Sequence, residues 1–129
     1  MSVTIDATSF PDAEHELVAV LDAAIATAHV SNVTPGTITG DTVIVGFSGG
    51  GSRDWGVAAM NMGINLYAMT EPKCRALAIT VQNVLATLSN DEIIRVATPA
   101  GGATSIPGQA PPFHRYFVVT VHLRGQAAL

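Results

Sequence analysis

Two stretches of strict two-residue alternation constrain this chain more than anything else in it. Over Trp55–Met69 (WGVAAMNMGINLYAM), Ala58, Met60, Met62, Ile64, Leu66 and Ala68 form one apolar set. Val57, Ala59, Asn61, Gly63, Asn65 and Tyr67 form a second set that is mixed and small. Successive side chains of a strand point to opposite faces, so the segment reads as a long strand with one face on a core and the other toward something narrow or wet. Gly56 and Gly63 argue against a helix there. The closing segment Phe113–Arg124 (FHRYFVVTVHLR) repeats the pattern. Phe113, Phe117, Val119, Val121 and Leu123 take one face, and His114, Tyr116, Val118, Thr120, His122 and Arg124 the other. A sheet built from such strands has one apolar face, which must be covered.

Two helical patterns supply the cover. Leu17, Val18, Val20, Leu21, Ala24, Ile25 and Ala28 recur at helical spacing and predict a helix over about 11–30. Ser9 and Asp12 are capping candidates, Pro11 falls in the first turn, and Asp12, Glu14 and Glu16 put negative charge at the positive end of the helix dipole. The turn-rich SNVTPG of 31–36 ends it. Cys74, Leu77, Ala78, Val81, Val84, Leu85 and Leu88 predict a second helix over about 71–89. Thr70 caps it, Pro72 lies in its first turn, and Ser89-Asn90-Asp91 stops it.

Shorter strands are expected over Thr37–Phe47, interrupted at Gly40-Asp41, and over Ile93–Ala97, with Val3 and Ile5 suggesting an extended start. The terminal GQAAL reads as frayed. The sum is an α+β fold in one domain, residues 1–129: a mainly antiparallel sheet of about four to five strands with two helices packed on one face. Two segments read as flexible loops. SGGGSRD (48–54) holds three consecutive glycines and is expected to be a mobile loop or hairpin tip. Residues 98–112 hold four Pro and three Gly, and loops of that length are usually functional or disordered.

Charge then narrows the function. Charged residues are 12% of the chain, about half the usual ~25%, while hydrophobic residues are 48%. A monomer of this mass exposes roughly 6,400 Å², so sixteen charges leave about one per 400 Å². Such an exterior suits a subunit that buries much of its outside against partners. The net charge of −4, with no basic block, argues against grip on nucleic-acid phosphate. The single cysteine, Cys74, excludes an internal disulfide. No apolar run approaches the roughly 20 residues of a membrane span, and MSVTIDATSFPDAEHE lacks the pattern of a secretory signal.

No catalytic set emerges. His15 and His29 lie about 21 Å apart along one predicted helix, and His114 and His122 roughly 27 Å apart along one strand, too far to share a metal. Ser48-Gly49-Gly50-Gly51-Ser52 lacks the Gly-Lys-Ser/Thr ending of a phosphate loop. Gly46, Ser48 and Gly50 match the letters of a nucleophile elbow, but no helical pattern follows Ser48. Cys74 sits near a helix start, a position that can lower a thiol pKa, although a buried packing role fits it better. No catalytic, cofactor or metal residue is therefore expected. Interface candidates are Asn61 and Asn65 on the mixed strand face, His114 and Tyr116 on the closing strand, and Arg53 and Trp55 at the loop edge, Trp and Arg being favoured interface anchors.

The sequence of features resembles a family. An acidic N-terminal helix precedes the hairpin segment SGGGSRDWG, the capped helix TEPKCRALAITVQNVLATL and a Pro/Gly-rich loop ending in PPFHRYFVVTVHLRG. This layout is similar to the tail terminators of long-tailed bacteriophages, especially the actinobacterial siphophage type, over most of the chain. The resemblance implies a non-enzymatic virion protein at the head-proximal end of the tail, assembled in the host cytoplasm. Six copies would form a ring that caps the tail tube, stops its growth and offers a surface to the neck. Its partners would be itself, the major tail tube protein, the head–tail connector and the double-stranded DNA that passes through without sequence recognition. The alternatives are a head–tail connector or head-closure protein, a small hydrolase using Ser48 or an enzyme using Cys74, and an oligomeric ligand-binding domain using the Met60/Met62 face.

Overall fold

The computed structural model describes residues 7–54, 56–108 and 111–128. In chain order the elements are β1 (Ala7–Ser9), α1 (Ala13–Ala24), β2 (His29–Ser31), β3 (Thr42–Phe47), β4 (Ser52–Asp54), β5 (Val57–Ala68), α2 (Glu71–Ala86), β6 (Ile93–Ala97), β7 (Thr104–Ile106), β8 (Phe113–Arg124) and β9 (Gln126–Ala128). Seven strands form a mixed, mostly antiparallel sheet with both helices on one face, an α+β fold with more strands than the sequence predicts.

The two alternating segments pair along their whole length, from Val57↔Arg124 to Ala68↔Phe113, in antiparallel register. Equal length and matched parity put the apolar sets of both strands, Ala58 to Ala68 and Phe113 to Leu123, on the same side, since opposed residues share a face. The shorter strands then fill two flanking columns. β3 and β4 both lie antiparallel beside β5, at opposite ends of it. β6 and β7 likewise lie beside opposite ends of β8. β2 adds an outer strand parallel to β3.

The helices cover the even-numbered face of β5. Leu17 and Leu21 of α1 and Leu77, Val81 and Leu85 of α2 join Val43, Val45, Met62, Ile64, Leu66, Phe117, Val119, Val121 and Leu123 in one core. Asp12 is the N-cap of α1, accepting from the backbone N–H groups of Glu14 (3.0 Å) and His15 (3.3 Å). Pro11 therefore precedes the cap rather than sitting in the first turn. α1 ends six residues before the expected Val30. The Ile25 N–H still reaches the Leu21 carbonyl, but His29–Ser31 run beside β3, with the His29 N–H on the Asp41 carbonyl at 2.9 Å. Ile25, Ala28 and Val30 are all buried, so the burial pattern was real but its last part belongs to a turn and a strand. Thr27, His29, Val30 and Ser31 are weak helix formers, and pairing at the β3 edge prevails.

α2 follows expectation at its start, where Thr70 Oγ1 accepts from the Lys73 N–H at 3.3 Å, and stops three residues early. Asn90 then accepts from the Glu92 and Ile93 N–H groups and launches β6. The tail expected to fray instead forms β9, which pairs with β1 in a separate two-stranded sheet. Val3 and Ile5 lie outside the described residues.

Both expected loops contain strand. Within 48–54, Ser52–Asp54 is β4, and the glycines form a bulge between β3 and β4 against β5. Register shows it: Phe47 opposes Met62 and Ser52 opposes Ala59, so four residues of one column face two of the other. Gly49, Gly50 and Gly51 take φ of 87°, 72° and 104°. A Cβ on Gly51 would lie 2.2 Å from the Ala59 carbonyl oxygen, and one on Gly50 3.0 Å from Asn61 Nδ2. The glycine run thus answers a geometric demand, the close approach of the bulge to β5. Within 98–112, Thr104–Ile106 is β7, and Gln82 Nε2 donates to the Pro99 carbonyl at 3.3 Å, tying the segment before it to α2. Gln109 and Ala110 of that loop lie outside the described residues.

Gly51→Ala is therefore expected to cost about 1–3 kcal/mol or more in chemical denaturation, as a residue forced into a strained backbone region. Gly46→Ala, in β3 with nothing within 4 Å of the added methyl, is expected to leave stability unchanged or slightly raised. Equal midpoints for the two variants would remove the bulge as the reason for the glycines.

Candidate functional site: the open sheet face

With both helices on one side, no helix among the described residues covers the odd-numbered face of β5 or the even-numbered face of β8. Register arranges their side chains in cross-strand rows. Ala59 opposes His122, which opposes Arg95, and Asn61 opposes Thr120, which opposes Ala97. Next come Gly46, Gly63 and Val118, then Ile44, Asn65, Tyr116 and Thr104, then Thr42, Tyr67, His114 and Ile106. Thr42 and Ile44 are themselves buried, so the open area centres on β5 and β8.

The polar groups of this face bond to one another. Thr120 Oγ1 donates to Asn61 Oδ1 at 2.9 Å. His114 Nε2 donates to Asn65 Oδ1 at 2.7 Å, and the imidazole stacks on Tyr67 with ring centroids 4.3 Å apart. Tyr116 lies over Gly63, where an added Cβ would sit 3.2 Å from its Cε2 and hydroxyl. Asn61, Asn65, His114 and Tyr116 are thus brought together on one surface.

Arg53 is not part of it. It opposes Ala58 on the helix-covered side, and its guanidinium stands 4.5 Å over the Phe10 ring. Trp55 lies outside the described residues. Sequence reasoning overlooked Arg115, which shares the parity of Phe113 and Phe117 and so points toward the core. Its guanidinium is paired with Glu71 in the first turn of α2 and donates to the Ala103 carbonyl at 3.4 Å. The signal was legible: a cation at a core-facing position of an alternating strand requires a counter-charge.

The candidate nucleophiles are poorly placed. Ser48 sits at the bulge between two strand segments, with its N–H on the Asn61 carbonyl, and no helix follows. Cys74 is buried, with Sγ 3.5 Å from the carbonyl oxygens of Leu66 and Phe113. Burial pushes its thiol pKa up despite the opposing charge of Arg115, in line with the packing role favoured for it. Met62 is buried in the core and touches only a small cleft of about 120 Å³, while Met60 also lines a groove of about 500 Å³ between the start of α1 and the glycine bulge. Among the described residues, no group of three or more His, Cys, Asp or Glu is placed to hold a metal ion, and no helix is long and apolar enough to cross a membrane.

His114 gives the face a measurable titration. Burial lowers its pKa from the ordinary 6.5, so the fold holds the ring neutral. As pH falls, the unfolded chain takes up the proton first, and stability is lost from about pH 6.5 down toward the folded value. Urea midpoints should fall over that range, and His114→Gln should flatten the dependence. An unchanged slope in the variant would assign the effect to other groups.

No protein-family model matches the chain, and no curated protein matches it either.

Proposed function

We propose that this chain is a structural virion protein, the tail terminator of a long-tailed bacteriophage. It works as a homohexameric ring that caps the tail tube, stops its polymerisation and presents a docking surface to the neck. The observation that carries the reading is the open sheet face, whose three central rows, from Asn61 to Tyr116, hold no ionisable group but the phenol of Tyr116. An uncovered face of this kind, on a chain with 12% charged residues, calls for protein neighbours rather than water. The layout of helices, hairpin and closing strand adds the family likeness described above.

In this reading the chain does no chemistry. It acts by shape, one ring surface matching the end of the tube and another the connector, while DNA passes along the axis. The ring belongs to the head-proximal end of the tail. Deleting the gene is expected to give headless tails of uncontrolled length in electron micrographs of lysates. Tails of normal length in the deletion would overturn the reading. Binding of the purified chain to one end of headless tail tubes separates a terminator from a neck protein, which would require the head.

A further inference from the structure

The open sheet face has a counterpart on the opposite side of the molecule. From Ala76 to Asn90 no residue is ionisable, so α2 beyond its first turn turns an uncharged surface outward. Ala76, Ile79, Thr80, Asn83, Ala86 and Thr87 are exposed, Ile79 at 52%. Solvent-facing helix surfaces are normally charged or polar. The hydroxyls here are already satisfied: Thr80 Oγ1 donates to the Ala76 carbonyl at 3.0 Å, and Thr87 Oγ1 to the Asn83 carbonyl at 3.1 Å. The same holds for the Asn61–Thr120 and Asn65–His114 pairs on the sheet. Drying either outer face therefore leaves these hydroxyls and amide oxygens bonded.

We propose that copies of this chain assemble head to tail, the outer face of α2 of one copy lying on the open sheet face of the next. The proposal rests on the ring reading above and names its seam. Contact between two different patches generates a ring when the rotation between copies closes, whereas sheet against sheet would close as a two-fold dimer.

Three features favour a second copy as the occupant. First, the stacking repeats across the seam the packing α2 already makes on the inner face of β5 and β8. Second, size fits. β5 and β8, on which the open area centres, run about 40 Å through twelve residues each. α2, about 24 Å long, lies within that length.

Third, the rims are complementary. At the end where β5 begins and β8 finishes, the sheet face bears exposed Arg95 and Arg124. The start of α1, with Asp12, Glu14 and Glu16, lies at the same end of the helix layer, bordering the groove formed with Gly51 and Met60. Copies related by rotation about an axis along the strands, as a ring requires, keep these ends in step and bring those acids toward those cations. A charge-free centre with a charged rim is the usual anatomy of a protein interface.

Ile79→Asp and Val118→Asp test the seam, since both side chains are exposed and circular dichroism can verify that each variant folds. Native mass measurement at micromolar concentration is expected to show multimers for the wild type and single chains for each variant alone. An equimolar mixture of the two variants should give dimers and nothing larger, because only one intact helix face meets one intact sheet face. Wild-type assembly by Ile79→Asp, a mixture that stays monomeric, or a wild type that never associates would each overturn the proposal. Those outcomes would leave the terminator reading standing if deletion still abolished tail-length control. Normal tails in the deletion would sink that reading while the mass measurements still judged the seam.

Discussion

Twelve consecutive residue pairs join β5 to β8, and the rest of the molecule is positioned by them. Because the ladder runs without interruption, parity is conserved from one end to the other, and each residue is committed to core or open face by its number alone. A slip of one position would drive either Ile64 and Leu66 or Val119 and Val121 to the surface. Both helices pack on the apolar side of this pair, and the flanking strands inherit their register from it.

The flanking columns show how a short chain widens a sheet cheaply in residues. Each is made of two brief strands with a break between them. On the β5 side the break is the glycine bulge, which absorbs two extra residues while β4 stays hydrogen-bonded in the column of β3. On the β8 side it is the segment between β6 and β7, held to α2 through Gln82. The result is a sheet nearly as wide at its ends as at its centre, and so an open face large enough to serve as an interface.

What the sequence disclosed follows from where its periodicity was long. Phe113–Arg124 and Ile93–Ala97 have the bounds that alternation and turn residues predict, and Val57–Ala68 differs only at its ends. The short elements were illegible for a common reason. β2, β4, β7 and β9 have three residues each, too few to show a period, and exist because a partner strand offers free backbone groups. The end of α1 misled because Ile25, Ala28 and Val30 are buried whether or not the backbone is helical. Of the open face, Asn61, Asn65, His114 and Tyr116 could be assigned to strand faces from parity. Their pairing into Asn65–His114 and Asn61–Thr120 depends on inter-strand register, which no single strand encodes. Arg53, read as standing at a loop edge, lies in β4, whose register turns it toward Phe10 and which three residues are too few to reveal.

The chemistry of the open face also bears on when it is covered. A wholly aliphatic sheet surface would associate as soon as the chain folded, since burial yields about 25 cal/mol per Å² of apolar area. Asn61, Thr120, Asn65 and His114 dilute that apolar area, while their mutual hydrogen bonds keep the cost of drying it low. Association across such a face is governed by fit rather than by indiscriminate hydrophobic contact. In a subunit whose proposed task is to cap a tube as a defined ring, that balance favours the fitted contact between copies over indiscriminate aggregation. Gly63 carries the geometric part of the same design: its missing Cβ lets the Tyr116 ring lie against the strand rather than stand out from it, which keeps the centre of the face low enough for a flat neighbour.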